Sequence, residues 1–264
     1  TTFIGDAFNT SKEIYILTEL FLHLKINQKN FNPAEFNKLH EQYRGYSKST
    51  FLPEFDNVEN SINYLTKQFK YAGDKLAFRD MHEVYKYLKI FTNNFMKSKY
   101  IFIKRNSIDV AISNIELFDK KLNNDSIERN FFGQLKIMKF ISEMISIFPE
   151  VYLFNHEDII NPKVNKRLFN EMSSFLDVPL HDAQKLYIDG DYRFNKSEKE
   201  IESRNKIKEE IQKSPFYQAY KEADKVFDEF FDSDSRNFLS YKARKITYNL
   251  DEITRIYKGH ICPH

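Results

Sequence analysis

Four short apolar, β-prone runs punctuate this chain, at Ile14–Leu17, Leu76–Phe78, Tyr100–Ile103 and Val151–Phe154, and each is followed by helical periodicity. Strands that alternate with helices must run the same way, because the crossover returns the chain to the same end of the sheet. The pattern therefore predicts an α/β domain with a parallel sheet. The helices are read from their apolar stripes. Asn57 to Lys70 places Val58, Ile62, Leu65 and Phe69 on one face, and Asp80 to Asn93 does so with Val84, Tyr87, Leu88 and Phe91. Asn130 to Ile147 carries Leu135, Met138, Ile141 and Ile145, and Pro149 ends it. At 264 residues the chain is long enough for one sizeable domain.

Two regions depart from this alternation. Residues 31–56, with Asn32-Pro33, Gly45 and Pro53, read as a loop-rich insertion whose aromatic residues either line an acceptor pocket or pack the insertion down. Residues 196–257 read as a helical C-terminal region. It is densely charged from Lys196 to Lys213 and apolar at helical spacing from Phe216 to Tyr257. Its charged positions are expected to be solvated faces, with Phe227, Phe230 and Phe231 burying one side.

The segment from Tyr100 to Ser113 carries the most chemistry. It reads as a strand, an arginine at the strand end, a turn opened by Asn106, Ser107 and Asp109, and a helix containing Ser113. Ligands of open α/β sheets bind beyond the carboxyl ends of the strands, and the planar guanidinium fork suits phosphate. The alternative is a surface arginine that merely closes a strand, and spacing leaves both open.

The motif R-N-x-x-D-V-A-x-S, Arg105 to Ser113, resembles the 3′-phosphate-binding segment of the sulfotransferase family, whose donor is 3′-phosphoadenosine 5′-phosphosulfate (PAPS). Thr1 to Asn9 and the following Glu13 to Glu19 resemble the back half of that family's 5′-phosphosulfate loop, P-x-S-G-T-T, with its helix and next strand. Phe148 to Ile159 resembles its late strand ending in Y-E-D-L, with His156 in place of the tyrosine, and Asn161-Pro162 and Phe175 to Pro179 continue the pattern. The resemblance spans residues 1 to about 200. It implies a single domain over 1–264, a three-layer sandwich around a central parallel sheet, P-loop NTPase-like, with a helical C-terminal part. The front half of the loop, P-[KR]-x-G, and the strand before it are not in this sequence. They are expected upstream of Thr1, since without them the sheet would lack its central strand and the loop could not wrap an anion.

The same resemblance assigns roles. Arg105 and Ser113 would grip the 3′-phosphate, Thr1 and Thr2 the 5′-phosphosulfate, and Arg193 would supply a late basic contact. Glu19 stands where the tyrosylprotein and glycan branches place a catalytic carboxylate, with His23 a possible assistant. His82 stands where the cytosolic branch places its histidine base. Lys75 or Arg79 would offset charge on the departing bridging oxygen. No metal is implied. Glu157 and Asp158 are better read as caps and strand-end hydrogen bonders than as catalytic carboxylates. The implied reaction is transfer of a sulfuryl group to a hydroxyl of a carbohydrate or similar acceptor. A P-loop kinase-like phosphotransferase and an inactive interaction scaffold are the competing readings.

Composition narrows the remainder. A net charge of +2 makes no case for nucleic acid, and no run of about eighteen apolar residues spans a membrane. The single cysteine, Cys262, permits no intramolecular disulfide and suits a reducing compartment such as the cytoplasm.

Overall fold

The computed structural model describes residues 2–18, 58–75, 88–89, 91–93, 95–118, 122–161, 163–180, 197–231 and 239–259. In chain order the elements are α1 (Thr2–Asn9), β1 (Ile14–Thr18), α2 (Val58–Gln68), β2 (Tyr71–Lys75), β3 (Tyr100–Lys104), α3 (Ser107–Phe118) and α4 (Asn124–Ile147). There follow β4 (Val151–Asn155), α5 (His156–Ile160), α6 (Asn165–Leu176), α7 (Glu198–Lys213), α8 (Tyr217–Asp228) and α9 (Leu239–Gly259). The chain divides into two compact units, one of Thr1–Arg79 with Glu157–Phe194, the other of Asp80–His156 with Asn195–His264.

In the first unit β1 and β2 pair in parallel, from Ile14 opposite Tyr71 to Thr18 opposite Lys75. Helix α1 turns its buried Ile4, Ala7 and Phe8 onto β1, where Ile14 and Tyr15 are buried in turn. Gly73 lets β2 lie close to β1, because a Cβ there would stand 3.1 Å from Cδ1 of Ile16, tighter than an ordinary contact. Leu65 anchors α2, and the rings of Tyr15 and Phe69 meet at 5.2 Å. Helix α6 ends on Asp177 in the left-handed conformation. The Lys70 ammonium holds that end by donating to the Asp177 carbonyl at 2.5 Å and its carboxylate at 2.8 Å.

In the second unit β3 and β4 also pair in parallel, from Tyr100 opposite Val151 to Lys104 opposite Asn155, with α3 and α4 as the crossover. The core of this unit is a helix cluster around the 24-residue α4. Asn123 and Ser126 close a reciprocal capping box at its start, satisfying two amides that would otherwise lack acceptors. Helix α9 lies along α4 through a stripe of buried residues at helical spacing: Ala243, Ile246, Leu250 and Ile253. Phe131 is the centre of an aromatic cluster, with the rings of Phe132, Phe216, Tyr220 and Tyr257 between 5.1 and 5.9 Å away.

The three-layer, P-loop NTPase-like sandwich around a central parallel sheet is not the fold observed. Helix dominates the described residues, and strand is confined to two separate two-stranded sheets. A central parallel sheet needs both faces covered and reads as continuously buried. Here β2 is half-buried along its whole length, and β3 buries only Phe102. On the outer edge of β1 the Ile16 backbone is occupied as well, since the Asn9 amide accepts from the Ile16 N–H at 2.6 Å and donates to its carbonyl at 3.0 Å. The second strand also falls at Tyr71–Lys75, while Leu76–Phe78 lie outside the described residues. The stripe assigned to Asn130–Ile147 belongs to a helix that begins earlier, at Asn124.

Candidate functional site

The turn between β3 and α3 concentrates polar groups. Asn106 caps α3 as expected, its side-chain oxygen accepting from the amides of Ile108 at 3.1 Å and Asp109 at 3.3 Å. Ser107, almost fully buried, is held from two helices. Its amide donates to Asp224 of α8 at 3.1 Å and its hydroxyl donates to the same carboxylate oxygen at 2.9 Å. From the other side the Gln134 amide of α4 donates to the Ser107 carbonyl at 2.8 Å.

Lys104, at the end of β3, reaches the same cluster. Its ammonium ion-pairs with Asp228 and lies 3.9 Å from the second Asp224 oxygen. Burial pushes the Asp224 carboxyl above its ordinary range, while the Ser107 amide, the Lys104 ammonium and the Ser107 hydroxyl pull it back down. The buried helix start and its adjacent lysine are thus satisfied by the protein's own carboxylates, which excludes Lys104 and Ser107 as free phosphate ligands.

Three side chains on this segment are left over among the described residues: Arg105, Asp109 and Ser113. Arg105 and Ser113 are both half-buried, and among the described residues neither side chain has a hydrogen bond or ion pair. The contrast with other helical hydroxyls is informative. Ser142, Ser174, Thr247 and Thr254 all donate to the carbonyl four residues earlier, at 2.7 to 3.0 Å. Asp109, the nearest carboxylate in sequence, does not claim Arg105. Ser113 lies about 9 Å along the axis from Ser107 at the usual helical rise. Its Cβ tilts back toward the helix start, the end that carries Arg105. A guanidinium fork and a hydroxyl left free on one strand–turn–helix can take an anion with several oxygens.

The other residues singled out by sequence fall differently. Lys75 closes β2 opposite Thr18, and its Cδ is 3.9 Å from where a Cβ on Gly5 of α1 would stand. Thr2 begins α1 in the same unit. Thr1, Glu19, His23, Arg79, His82 and Arg193 lie outside the described residues. Glu157 and Asp158 sit in the first turn of the short α5. Glu198, Ile201, Glu202, Asn205, Lys206 and Glu209 border a shallow, open depression along α7.

Sequence reasoning missed Ser107's anchors and the Lys104–Asp224–Asp228 cluster. A signal existed: Asp224 falls on the same helical face as Tyr220, Ala223 and Phe227, where a charge needs a partner. No family model matches the chain, and neither a curated protein nor a solved structure matches it.

Proposed function

We propose that this protein transfers a sulfuryl group from PAPS to a hydroxyl of a carbohydrate or similar acceptor, with Arg105 and Ser113 holding the donor's 3′-phosphate. The observation that carries the reading is local and does not depend on a P-loop fold. On a turn where Lys104, Asn106 and Ser107 are engaged by the protein, the two residues of the R-N-x-x-D-V-A-x-S motif that would bind phosphate are, like the Asp109 carboxylate, free of protein partners among the described residues.

Glu19, the residue after the last position of β1, takes the proton of the attacking hydroxyl in this reading, with His82 the rival base. Lys75 or Arg79, at and beyond the end of β2, offsets charge on the departing phosphate oxygen. Thr1 and Thr2 contact the 5′ end of the donor, and Arg193 adds a basic contact. No metal takes part in the proposed step, and the lone cysteine suits a cytoplasmic setting. Among the described residues no helix is long and apolar enough to cross a membrane.

Titration calorimetry with 3′-phosphoadenosine 5′-phosphate tests the reading. A charge-assisted hydrogen bond contributes about 1.5–3 kcal/mol, and a bidentate arginine makes two. Arg105→Ala should therefore weaken binding at least about a hundredfold, and Ser113→Ala about tenfold. Unchanged affinity in the arginine variant refutes the assignment. A wild-type protein that neither binds the nucleotide nor gains thermal stability from it is the scaffold outcome.

A further inference from the structure

We infer that Asp224, on the C-terminal helix α8, is a positioning residue for the phosphate-binding segment: it never touches the ligand, yet it fixes the turn from which Arg105 reaches it. This rests on the donor reading above. The sequence resemblance stops near residue 200, so it assigns nothing to the helices that follow.

The geometry is specific. Arg105 and Asn106 are the two residues between Lys104 and Ser107, and both flanks are tied to one carboxylate. Asp224 accepts from the amide and hydroxyl of Ser107 through one oxygen and faces the Lys104 ammonium with the other. Gln134 holds the Ser107 carbonyl from α4, so the residue is gripped on both sides of its peptide plane. With both flanks held, the guanidinium of Arg105 searches a small volume, and less ordering is left for the ligand to impose. The carboxylate is largely buried, on the same face of α8 as Tyr220, Ala223 and Phe227, and its exposed fraction is small. It acts only through the turn.

A loss of fold and a loss of position have different signatures. A variant that is simply less stable binds every nucleotide less well, in proportion to its folded fraction. A variant with a loosened turn loses the 3′-phosphate contact in particular. The test compares 3′-phosphoadenosine 5′-phosphate with adenosine 5′-monophosphate, which lacks that group, in wild type, Asp224→Ala and Asp224→Asn. Amide hydrogen exchange is measured across residues 104–110 in the same proteins without ligand.

In Asp224→Ala the preference for the 3′-phosphorylated nucleotide should fall at least tenfold. Exchange at Ser107 should accelerate at least tenfold, while α4 and α9 keep their protection. Asp224→Asn, which retains an acceptor for the Ser107 amide, should recover part of both effects and covers the case in which the alanine variant fails to fold. Equal losses for the two nucleotides, or unchanged exchange at Ser107, overturn the inference. If the wild-type protein binds neither nucleotide, the sulfuryl-transfer reading falls by itself, and the exchange comparison still decides whether Asp224 holds the turn.

Discussion

Replacing Lys104 with methionine isolates the electrostatics of the β3–α3 turn, because methionine keeps most of the aliphatic stem and removes the ammonium. The Lys104 and Asp224 side chains are only 10% and 11% exposed, and their charged atoms are 3.9 Å apart. At an effective dielectric of about 20 that separation corresponds to about 4 kcal/mol of attraction. Removing one partner of a buried pair costs about 3–5 kcal/mol, since the other charge stays desolvated. Asp224 retains the two Ser107 bonds on one oxygen, but its other oxygen accepts no hydrogen bond, so the ammonium is what compensates it. Asp228 is half exposed and can return to water. The lower part of the range follows, a loss of about 3 kcal/mol near neutral pH.

The pH dependence has a definite sign. The folded Asp224 carboxyl titrates above its ordinary value of 3.8, so the folded state takes up that proton first. Stability from this group therefore rises as pH falls through the raised folded value toward 3.8, and is lost as pH climbs back. Lys104 is one of the groups that restrain the shift, so Lys104→Met moves the folded value further up and steepens the slope. Urea unfolding followed by far-ultraviolet circular dichroism, at steps from pH 7.5 to pH 4, should show the penalty shrinking to about 1 kcal/mol or less at the acid end. Adding Asp224→Asn to the methionine variant should restore much of the loss at neutral pH. A penalty below about 1 kcal/mol at pH 7.5, or one that is flat with pH, would refute the argument.

Phe131→Ala should cost about 3–5 kcal/mol, because it empties a fully buried site and breaks its ring contacts with Phe132, Phe216, Tyr220 and Tyr257; chemical denaturation measures it, and a loss under about 1 kcal/mol would mean the cluster is not the core of its unit. Asn123→Ala removes the capping box of α4 and should cost about 1 kcal/mol, with faster amide exchange confined to the first turn of that helix. A change spread over the whole helix would contradict a local cap.

Strands β1, β3 and β4 were legible because each is an apolar β-prone run bounded by turn residues, and all three begin at the expected position. The strand Tyr-Ala-Gly-Asp-Lys was not, since four of its five residues, Ala72 to Lys75, carry little β-propensity. It is selected by pairing, with the Tyr71 amide donating to the Glu13 carbonyl at 3.1 Å and Gly73 making room for Ile16. Strand–helix alternation fixes the direction in which strands run, not which edges meet, so parallel pairing was readable and a joined sheet was not. The C-terminal helices were readable from their periodicity, with Phe227 and Phe230 buried as expected and Phe231 half-buried. At the candidate site, the Asn106 cap follows from local sequence. The Asp224 contact spans 117 positions from Ser107, and no local pattern could report it.

The amide of Asn9 gives β1 a neighbour that is not a strand. A short parallel ribbon with an exposed edge is a template on which another chain can add itself, and proteins commonly blunt such edges with charge, proline or a bulge. Here a single side chain, offered from the last turn of the preceding helix, presents one donor and one acceptor in the arrangement of a peptide group and occupies both hydrogen-bonding positions of Ile16. An incoming strand would have to displace it before gaining its first pair of bonds at that residue. For a segment as sticky as Ile-Tyr-Ile-Leu-Thr, that raises the cost of adding a strand at the middle of its length.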